Sequence, residues 1–87
     1  MSCTVSGRVQ LVMYRDFATR RARSFGIVGD VHNEENGTVT VIAEGDEEIL
    51  TKYLAELHKG SVLSRVDNIE VNWSEPTGAY TKFSIRF

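Results

Sequence analysis

Residues 27–44 read IVGDVHNEENGTVTVIAE, and this stretch decides the fold. It contains two β-rich runs, at 27–33 and 38–44, which are separated by Asn36-Gly37. Because both of these residues tolerate a positive φ angle, the pair is a strong signal for a tight turn between antiparallel strands. The stretch therefore predicts a β-hairpin in the middle of the chain.

A helical pattern precedes the hairpin. Residues 16–25 place Ala18, Ala22 and Phe25 at helical spacing, and Gly26 is suited to end the helix. The small apolar residues mark the stripe that would face the core. We therefore expect a helix that packs against the hairpin.

A second helical pattern follows the hairpin. Asp46 can cap it, and Glu47 and Glu48 would lie favourably in its first turn, near the positive end of the helix dipole. Its apolar face is formed by residues with helical spacing: Ile49, Leu50, Tyr53, Leu54 and Leu57.

Three further strands complete the pattern. Residues 3–10 alternate between the two faces of a strand, and 66–74 and 80–87 do the same. The order is β-α-β-β-α-β with a short terminal strand. It predicts a ferredoxin-like α+β sandwich, with two helices on one face of a mostly antiparallel sheet. The length predicts a single domain, 1–87.

The composition is that of an ordinary globular protein, with 41% hydrophobic and 25% charged residues. No run approaches the ~18 apolar residues of a membrane span, and no signal peptide is evident. We expect a cytoplasmic monomer. The lone Cys3 is expected to be a core or strand-end residue and not a nucleophile, and Trp73 and Phe83 are expected to be core residues and not ligand stackers. His32 and His58 lie far apart in sequence, so no metal site is predicted.

Positive charge is concentrated at the start of the chain. Residues 1–30 hold five Arg against two Asp, whereas 31–58 are strongly acidic. An anionic ligand is therefore expected in the first part. Arg20, Arg21 and Arg23 are interpreted as a solvated helix face.

The segment that carries chemistry is GRVQLVMYR, residues 7–15. A strand ends near Gln10 and a helix begins near Arg15, so the turn between them points backbone N–H groups toward the positive end of a helix dipole. Such a concavity binds anions. Arg15 could grip two phosphoryl oxygens with its planar guanidinium. The alternative is that Arg15 is a surface residue in the first helical turn.

These residues resemble the acylphosphatase family. Its first signature, G-x-V-Q-G-V-x-[FY]-R, is matched at Gly7, Val9, Gln10, Val12, Tyr14 and Arg15. Its second, roughly G-[FYW]-[AV]-x-N, corresponds to Gly29-Asp30-Val31-His32-Asn33. The resemblance covers nearly all of residues 3–87, in order.

The resemblance implies a hydrolase that splits acyl phosphates into a carboxylate and inorganic phosphate, without metal or organic cofactor. Arg15 would hold the phosphoryl group, and Asn33 would orient the attacking water. The phosphate cradle would consist of backbone amides of Val9, Gln10, Leu11, Val12, Met13 and Tyr14. The implied partners are a small acyl phosphate and, as a product-like ligand, phosphate or sulfate.

Three positions differ from the family signature, and the last residue is expected to contact the site. Leu11 stands where Gly is commonest; it is strained if its φ is positive, and otherwise projects to solvent or onto substrate. Asp30 replaces an aromatic residue, and we expect it to point away from the site. His32, where Arg or Lys is frequent, is either a surface histidine or a pH-sensitive neighbour of the site. The terminal carboxylate of Phe87 is expected to fold back on Arg15.

Two other functions remain open. Leu11 and Asp30 suggest an impaired relative that binds anions without turnover. An RNA-binding module on this fold would need exposed aromatic residues on the open face of the sheet. The residues expected there are Arg8, Gln10, Thr38 and Thr40, and the pI is about 5.6. We therefore expect no nucleic acid partner and no membrane partner.

Overall fold

The computed structural model describes residues 1–87 as two helices and a five-stranded sheet. The strands are β1 (Ser2–Arg8), β2 (Val28–Asn33), β3 (Val39–Glu44), β4 (Arg65–Asn72) and β5 (Phe83–Ile85). The helices are α1 (Tyr14–Ser24) and α2 (Glu47–Lys59). The ferredoxin-like fold predicted from the sequence is confirmed. Neither helix has the length and apolar character needed to cross a membrane.

The strand order, β4-β1-β3-β2-β5, brings the ends of three strands together. β1 and β2 are both antiparallel to β3, and β5 is parallel to β2. β1, β2 and β5 therefore run in the same direction, and their carboxyl ends lie at one end of the sheet. Residue 9, Asn33 and Phe87 follow or close these strands, so all three belong to that end.

Both helices pack on the same face of the sheet and share one apolar core. The Tyr53 hydroxyl of α2 donates to the Ala18 carbonyl of α1, at 2.8 Å, which satisfies a buried polar group between the helices. The sheet contributes Cys3, Val5, Val31, Val39, Val41 and Ala43, and the helices contribute Ala18, Ala22, Leu50, Tyr53 and Leu57.

The predicted core residues fare differently. Cys3 and Phe83 are buried, as expected. Burial raises the pKa of the Cys3 thiol to about 11, so the thiol stays protonated at neutral pH and is no nucleophile. The expectation for Trp73 is wrong: its side chain is 48% exposed, because it lies just beyond the end of the edge strand β4.

Element boundaries also differ from the prediction. β1 ends at Arg8 and α1 begins at Tyr14, so the connection between them is longer than the strand pattern indicated. The terminal strand is limited to Phe83–Ile85. Asp46 occupies the N-cap position of α2, but its side chain makes no capping hydrogen bond.

The substitution Gly29→Ala should unfold β2 from its neighbour. At φ +147° a Cβ on Gly29 would overlap the backbone oxygen of Ile42 on β3. Strain and overlap together should lower the free energy of unfolding by about 3 kcal/mol or more. Gly78→Ala is the matched control, since Gly78 also has a positive φ (+72°) but open space around it. It should cost only about 1 kcal/mol. Urea unfolding measures both, and equal losses would contradict the close approach at Gly29.

Candidate active site

The loop that joins β1 to α1, residues 9–13 (the β1–α1 loop), alternates between buried and exposed side chains. Val9 and Val12 are buried, whereas Leu11 is 99% and Met13 is 68% exposed. Leu11 and Met13 have φ angles of 60° and 62°, and no other non-glycine residue in the chain has a positive φ. Positive φ angles at residues 11 and 13 thus flank a residue without one, and such a change of φ sign aims successive N–H groups into one concavity.

The N–H groups of this loop make no hydrogen bonds within the chain. The backbone hydrogen bonds outside regular elements include none donated by residues 9–16, a stretch that also covers the start of α1. The first intrahelical bond is donated by Phe17 to the Met13 carbonyl, at 3.0 Å. The unpaired donors therefore extend from the predicted loop into the first turn of α1, where the helix dipole adds positive potential.

The side chain of Gln10 fixes the loop to the β2–β3 hairpin. Its Nε2 donates to the carbonyl oxygens of Glu34, at 2.7 Å, and Thr38, at 2.8 Å. Both acceptors flank the turn that immediately follows Asn33. The sequence predicted a backbone role for Gln10 in the cradle and a side chain on the open face of the sheet. It missed this contact, because a glutamine inside a turn does not indicate where its side chain goes.

The other side of the loop is held by α2 and the residues after it. The Tyr14 hydroxyl is buried and donates to the carbonyl of Leu57, at 2.7 Å. Burial raises the pKa of Tyr14 well above its usual value, so the hydroxyl remains a donor at all physiological pH values. The Ser61 hydroxyl donates to the Val12 carbonyl at 3.3 Å. These contacts hold Val12 and Tyr14 in place.

Arg15 is the second residue of α1, and its guanidinium is free of protein acceptors. It forms none of the ion pairs of the chain and donates no side-chain hydrogen bond. Its Cζ lies 4.9 Å from the centre of the Phe87 ring. The expected contact of Arg15 with the terminal carboxylate is thus replaced by a cation–π contact with the ring.

Asn33 closes β2 and faces the same side of the sheet as Val31, by strand alternation. Its Oδ1 atom is buried and has no hydrogen-bond partner. Such an unsatisfied acceptor costs about 1–3 kcal/mol, so its retention calls for a reason. Because the Glu34 carbonyl binds Gln10, Asn33 lies directly beside the anchored loop.

The two residues of β2 that differ from the family signature, Asp30 and His32, lie on the face of the sheet opposite Asn33. Asp30 and His32 alternate with Val31 and Asn33, so Asp30 points away from the loop, as expected. Asp30 Oδ2 lies 3.9 Å from Arg86 Nη1. By the same alternation His32 lies on the open face, where its Nε2 is 3.1 Å from a Glu34 carboxylate oxygen.

The basic residues of α1 are engaged at the surface. Arg20 pairs with Asp16 at 3.1 Å and Arg21 with Glu56 at 3.3 Å. Arg23 donates to the carbonyl of Phe83. No group of three or more His, Cys, Asp or Glu side chains is arranged to hold a metal ion.

Comparison with known proteins decides the family. The family model described as acylphosphatase matches residues 1–85. The chain belongs to the acylphosphatase family. It is therefore a hydrolase that acts on acyl phosphates, as the resemblance implied.

The relatives match the chain over nearly its full length. An acylphosphatase from Dehalococcoides mccartyi is 41% identical and covers 100% of this chain and 97% of its own. One from Salinibacter ruber is 37% identical, with 99% of this chain and 90% of its own covered. The crystal structure of acylphosphatase from Bacillus subtilis superposes with a TM-score of 0.95 at 34% identity, covering 99% and 96% of the two chains.

Replacing Gln10 should loosen the loop. Gln10→Ala removes both hydrogen bonds to the hairpin, so we expect the free energy of unfolding to fall by about 1–2 kcal/mol. We also expect kcat for acyl phosphate hydrolysis to fall at least about tenfold, because the loop donors and Asn33 lose their fixed spacing. Thr51→Ala is the control: it removes an exposed hydrogen bond to Glu47 on α2. An unchanged kcat in Gln10→Ala would refute the positioning role.

Relief of backbone strain at Leu11 should be measurable as stability. A non-glycine residue at positive φ costs about 1–2 kcal/mol, and a glycine costs about 0.5–1 kcal/mol in chain entropy. Leu11→Gly should therefore raise the free energy of unfolding by up to about 1 kcal/mol. Val62→Gly, at a fully exposed residue with negative φ, should lower it. Chemical denaturation distinguishes them, and a loss at both positions would show that Leu11 is unstrained.

Proposed function

We propose that the β1–α1 loop and the start of α1 bind the phosphoryl group of an acyl phosphate, which the protein hydrolyses to a carboxylate and inorganic phosphate. The observation that carries this proposal is the run of unpaired N–H groups over residues 9–16, next to Arg15, whose guanidinium has no carboxylate partner. Fixed donors and a free cation at a helix N-terminus match the needs of a phosphoryl dianion.

The same groups would stabilise the transition state. Phosphoryl transfer passes through a loose transition state with charge spread over the equatorial oxygens. Backbone N–H groups that are already aimed at those oxygens need no reorganisation when the charge develops. Arg15 can add two parallel hydrogen bonds. These donors supply the positive charge, and we propose that the reaction needs neither a metal ion nor an organic cofactor.

Asn33 would position the attacking water. Its amide can accept a hydrogen bond through Oδ1 and donate through Nδ2, but it is too weak a base to take a proton outright. A water bound by this amide would be fixed beside the loop. The leaving group is a carboxylate of low basicity, so it departs without a general acid.

Phe87 would keep Arg15 ready for the substrate. Its ring lies 4.9 Å from the guanidinium carbon, within the range of a cation–π contact worth about 0.5–2 kcal/mol. The ring attracts the cation without occupying its N–H groups. Arg15 is therefore oriented and still able to donate to phosphoryl oxygens.

We also propose that residues 1–87 form a single domain that works as a cytoplasmic monomer, without a nucleic acid partner. The one cysteine, Cys3, is buried and has no second cysteine to pair with, which fits a reducing compartment. The open face of the sheet presents Thr40, Asp30 and His32 instead of the aromatic side chains that stack on RNA bases.

Hydrolysis of benzoyl phosphate tests the assigned roles. We expect turnover by the wild type with a chelator present, and at least about a 100-fold lower kcat/KM for Arg15→Ala and for Asn33→Ala. Inhibition by inorganic phosphate separates the roles: it should weaken in Arg15→Ala and persist in Asn33→Ala. Arg20→Ala, at an exposed arginine paired with Asp16, is the matched control.

Circular dichroism would verify that each variant is folded. A folded wild type that binds phosphate but hydrolyses no acyl phosphate would instead identify a catalytically impaired anion-binding relative. Full activity in folded Asn33→Ala would remove the water-positioning role while leaving phosphoryl binding intact.

A further inference from the structure

His32 lies at the centre of a charged cluster on the open face of the sheet. Its Nε2 atom is 3.1 Å from Glu34 Oε1, and its Nδ1 atom is 2.9 Å from Arg86 Nη2. The His32 side chain is only 18% exposed although it lies at the surface, so the ring has little freedom to leave these partners. The function argued so far uses none of the three side chains.

The two partners determine which nitrogen of the neutral ring carries the proton. A carboxylate only accepts hydrogen bonds, and an arginine only donates them. Nε2 therefore carries the proton that Glu34 accepts, and Nδ1 accepts from Arg86. The same Arg86 Nη2 atom is 3.2 Å from Nε2, so the guanidinium lies across the ring. The neutral ring of His32 thus holds one residue on each side.

The residue held on one side, Glu34, supports the β1–α1 loop. Its carbonyl oxygen accepts one of the two hydrogen bonds from the Gln10 side chain, at 2.7 Å. Its carboxylate accepts from the Thr40 hydroxyl, at 3.0 Å, in addition to its contact with His32. Because two side chains hold the Glu34 carboxylate, this support does not depend on His32 alone.

The residue held on the other side, Arg86, precedes the ring that contacts Arg15. The Arg86 backbone N–H donates to the Val31 carbonyl, at 2.9 Å, and its side chain extends over His32. Phe87 follows, is 99% exposed, and places its ring 4.9 Å from the Arg15 Cζ atom. Since Phe87 has so little packing of its own, its position depends on how firmly Arg86 is held.

Protonation of His32 would break the contact with Arg86. A protonated imidazole donates from both nitrogens, so Nδ1 could no longer accept, and two cations would lie 2.9 Å apart. The new Nδ1–H group has another acceptor within reach, because Asp30 Oδ1 is 4.0 Å away, buried and without a hydrogen-bond partner. Arg86 loses its place over the ring and keeps only the Asp30 Oδ2 atom, at 3.9 Å, on a carboxylate that it then shares with His32.

The charged groups that face His32 are the three already described. From β3, the residue that pairs with His32 is Thr40, which is uncharged. Both helices pack on the other face of the sheet and contribute no charge here. Tyr80 and Lys82, in the segment before β5, line a pocket beside that strand, but neither is hydrogen-bonded or ion-paired to His32. The balance is therefore set by Asp30, Glu34 and Arg86.

We propose that His32 is a positioning residue for Arg15 and that its protonation weakens binding of the phosphoryl group. Neutral His32 holds Arg86, which keeps the Phe87 ring over the guanidinium. When His32 is protonated, Arg86 is displaced, the ring loses its position, and the guanidinium is no longer oriented. Histidine ordinarily changes charge between about pH 5 and 8, so affinity should fall over this range as the pH is lowered. The inference rests on the proposed function, in which Arg15 binds the phosphoryl group.

Inhibition of benzoyl phosphate hydrolysis by sulfate tests the inference, because sulfate keeps its charge over this pH range. The inhibition constant of the wild type should rise about threefold between about pH 8 and about pH 5.5. His32→Gln keeps a donor for Glu34 and an acceptor for Arg86 but does not titrate, so it should retain the high-pH value throughout. His32→Lys keeps a donor and a permanent charge, so it should show the low-pH value throughout.

Two further variants test the route and the specificity. Phe87→Ala removes the ring and should abolish the pH dependence of sulfate inhibition. His58→Gln is the matched control, because His58 is the other histidine of the chain and is exposed on α2. It should keep the pH dependence of the wild type.

The inference is wrong, and the proposed function stands, if sulfate inhibits the wild type equally at all pH values. The same conclusion follows if the pH dependence persists in His32→Gln or in Phe87→Ala, or if His32→Lys binds sulfate as tightly as His32→Gln. If neither sulfate nor inorganic phosphate binds and no acyl phosphate is hydrolysed, the proposed function fails and the inference fails with it.

Discussion

The two hydrogen bonds from the Gln10 side chain to the carbonyl oxygens of Glu34 and Thr38 join the halves of the site. One half is a loop whose N–H groups point into a concavity, and the other is the strand that ends at Asn33. The sheet topology brings these halves to the same end of the molecule, but it does not fix the distance between them. The Gln10 side chain fixes that distance, and the Tyr14 hydroxyl anchors the far side of the loop to α2.

The site is maintained at a cost in stability. Leu11 and Met13 adopt positive φ angles, which costs about 1–2 kcal/mol for each residue. Asn33 keeps a buried acceptor without a partner. The shared core of both helices and the sheet offsets these costs. Backbone strain at two residues and a buried acceptor without a partner, together at one end of an otherwise regular fold, are typical of a functional site.

Much of the fold follows from local sequence patterns. Asn36-Gly37 predicted the hairpin, and periodicity predicted both helices, because these signals depend on neighbouring residues alone. The prediction failed where long-range packing decides. Trp73 lies in an alternating pattern, but nothing local shows that the edge strand ends before it. Likewise, no local signal gives Met13 a positive φ.

Arg15 and Asn33 were proposed as site residues from two motifs of the family, since fixed residue types at fixed spacing carry chemical information. The contact of Arg15 with the Phe87 ring, where a carboxylate contact was expected, depends on how β5 ends beside α1. The role of the Gln10 side chain depends on the turn between β2 and β3, which lies more than twenty residues further along the chain. Such contacts between distant segments are not encoded in the spacing of the motifs.

The central claim is that the backbone donors of residues 9–16 bind the phosphoryl group. The most direct measurement is a titration of the ¹⁵N-labelled protein with inorganic phosphate, followed by amide proton chemical shifts. The account predicts saturable downfield shifts that are largest for these residues, together with a change at the Arg15 guanidinium. Shifts confined to the exposed face of Arg20 and Arg21, with residues 9–16 unaffected, would contradict it.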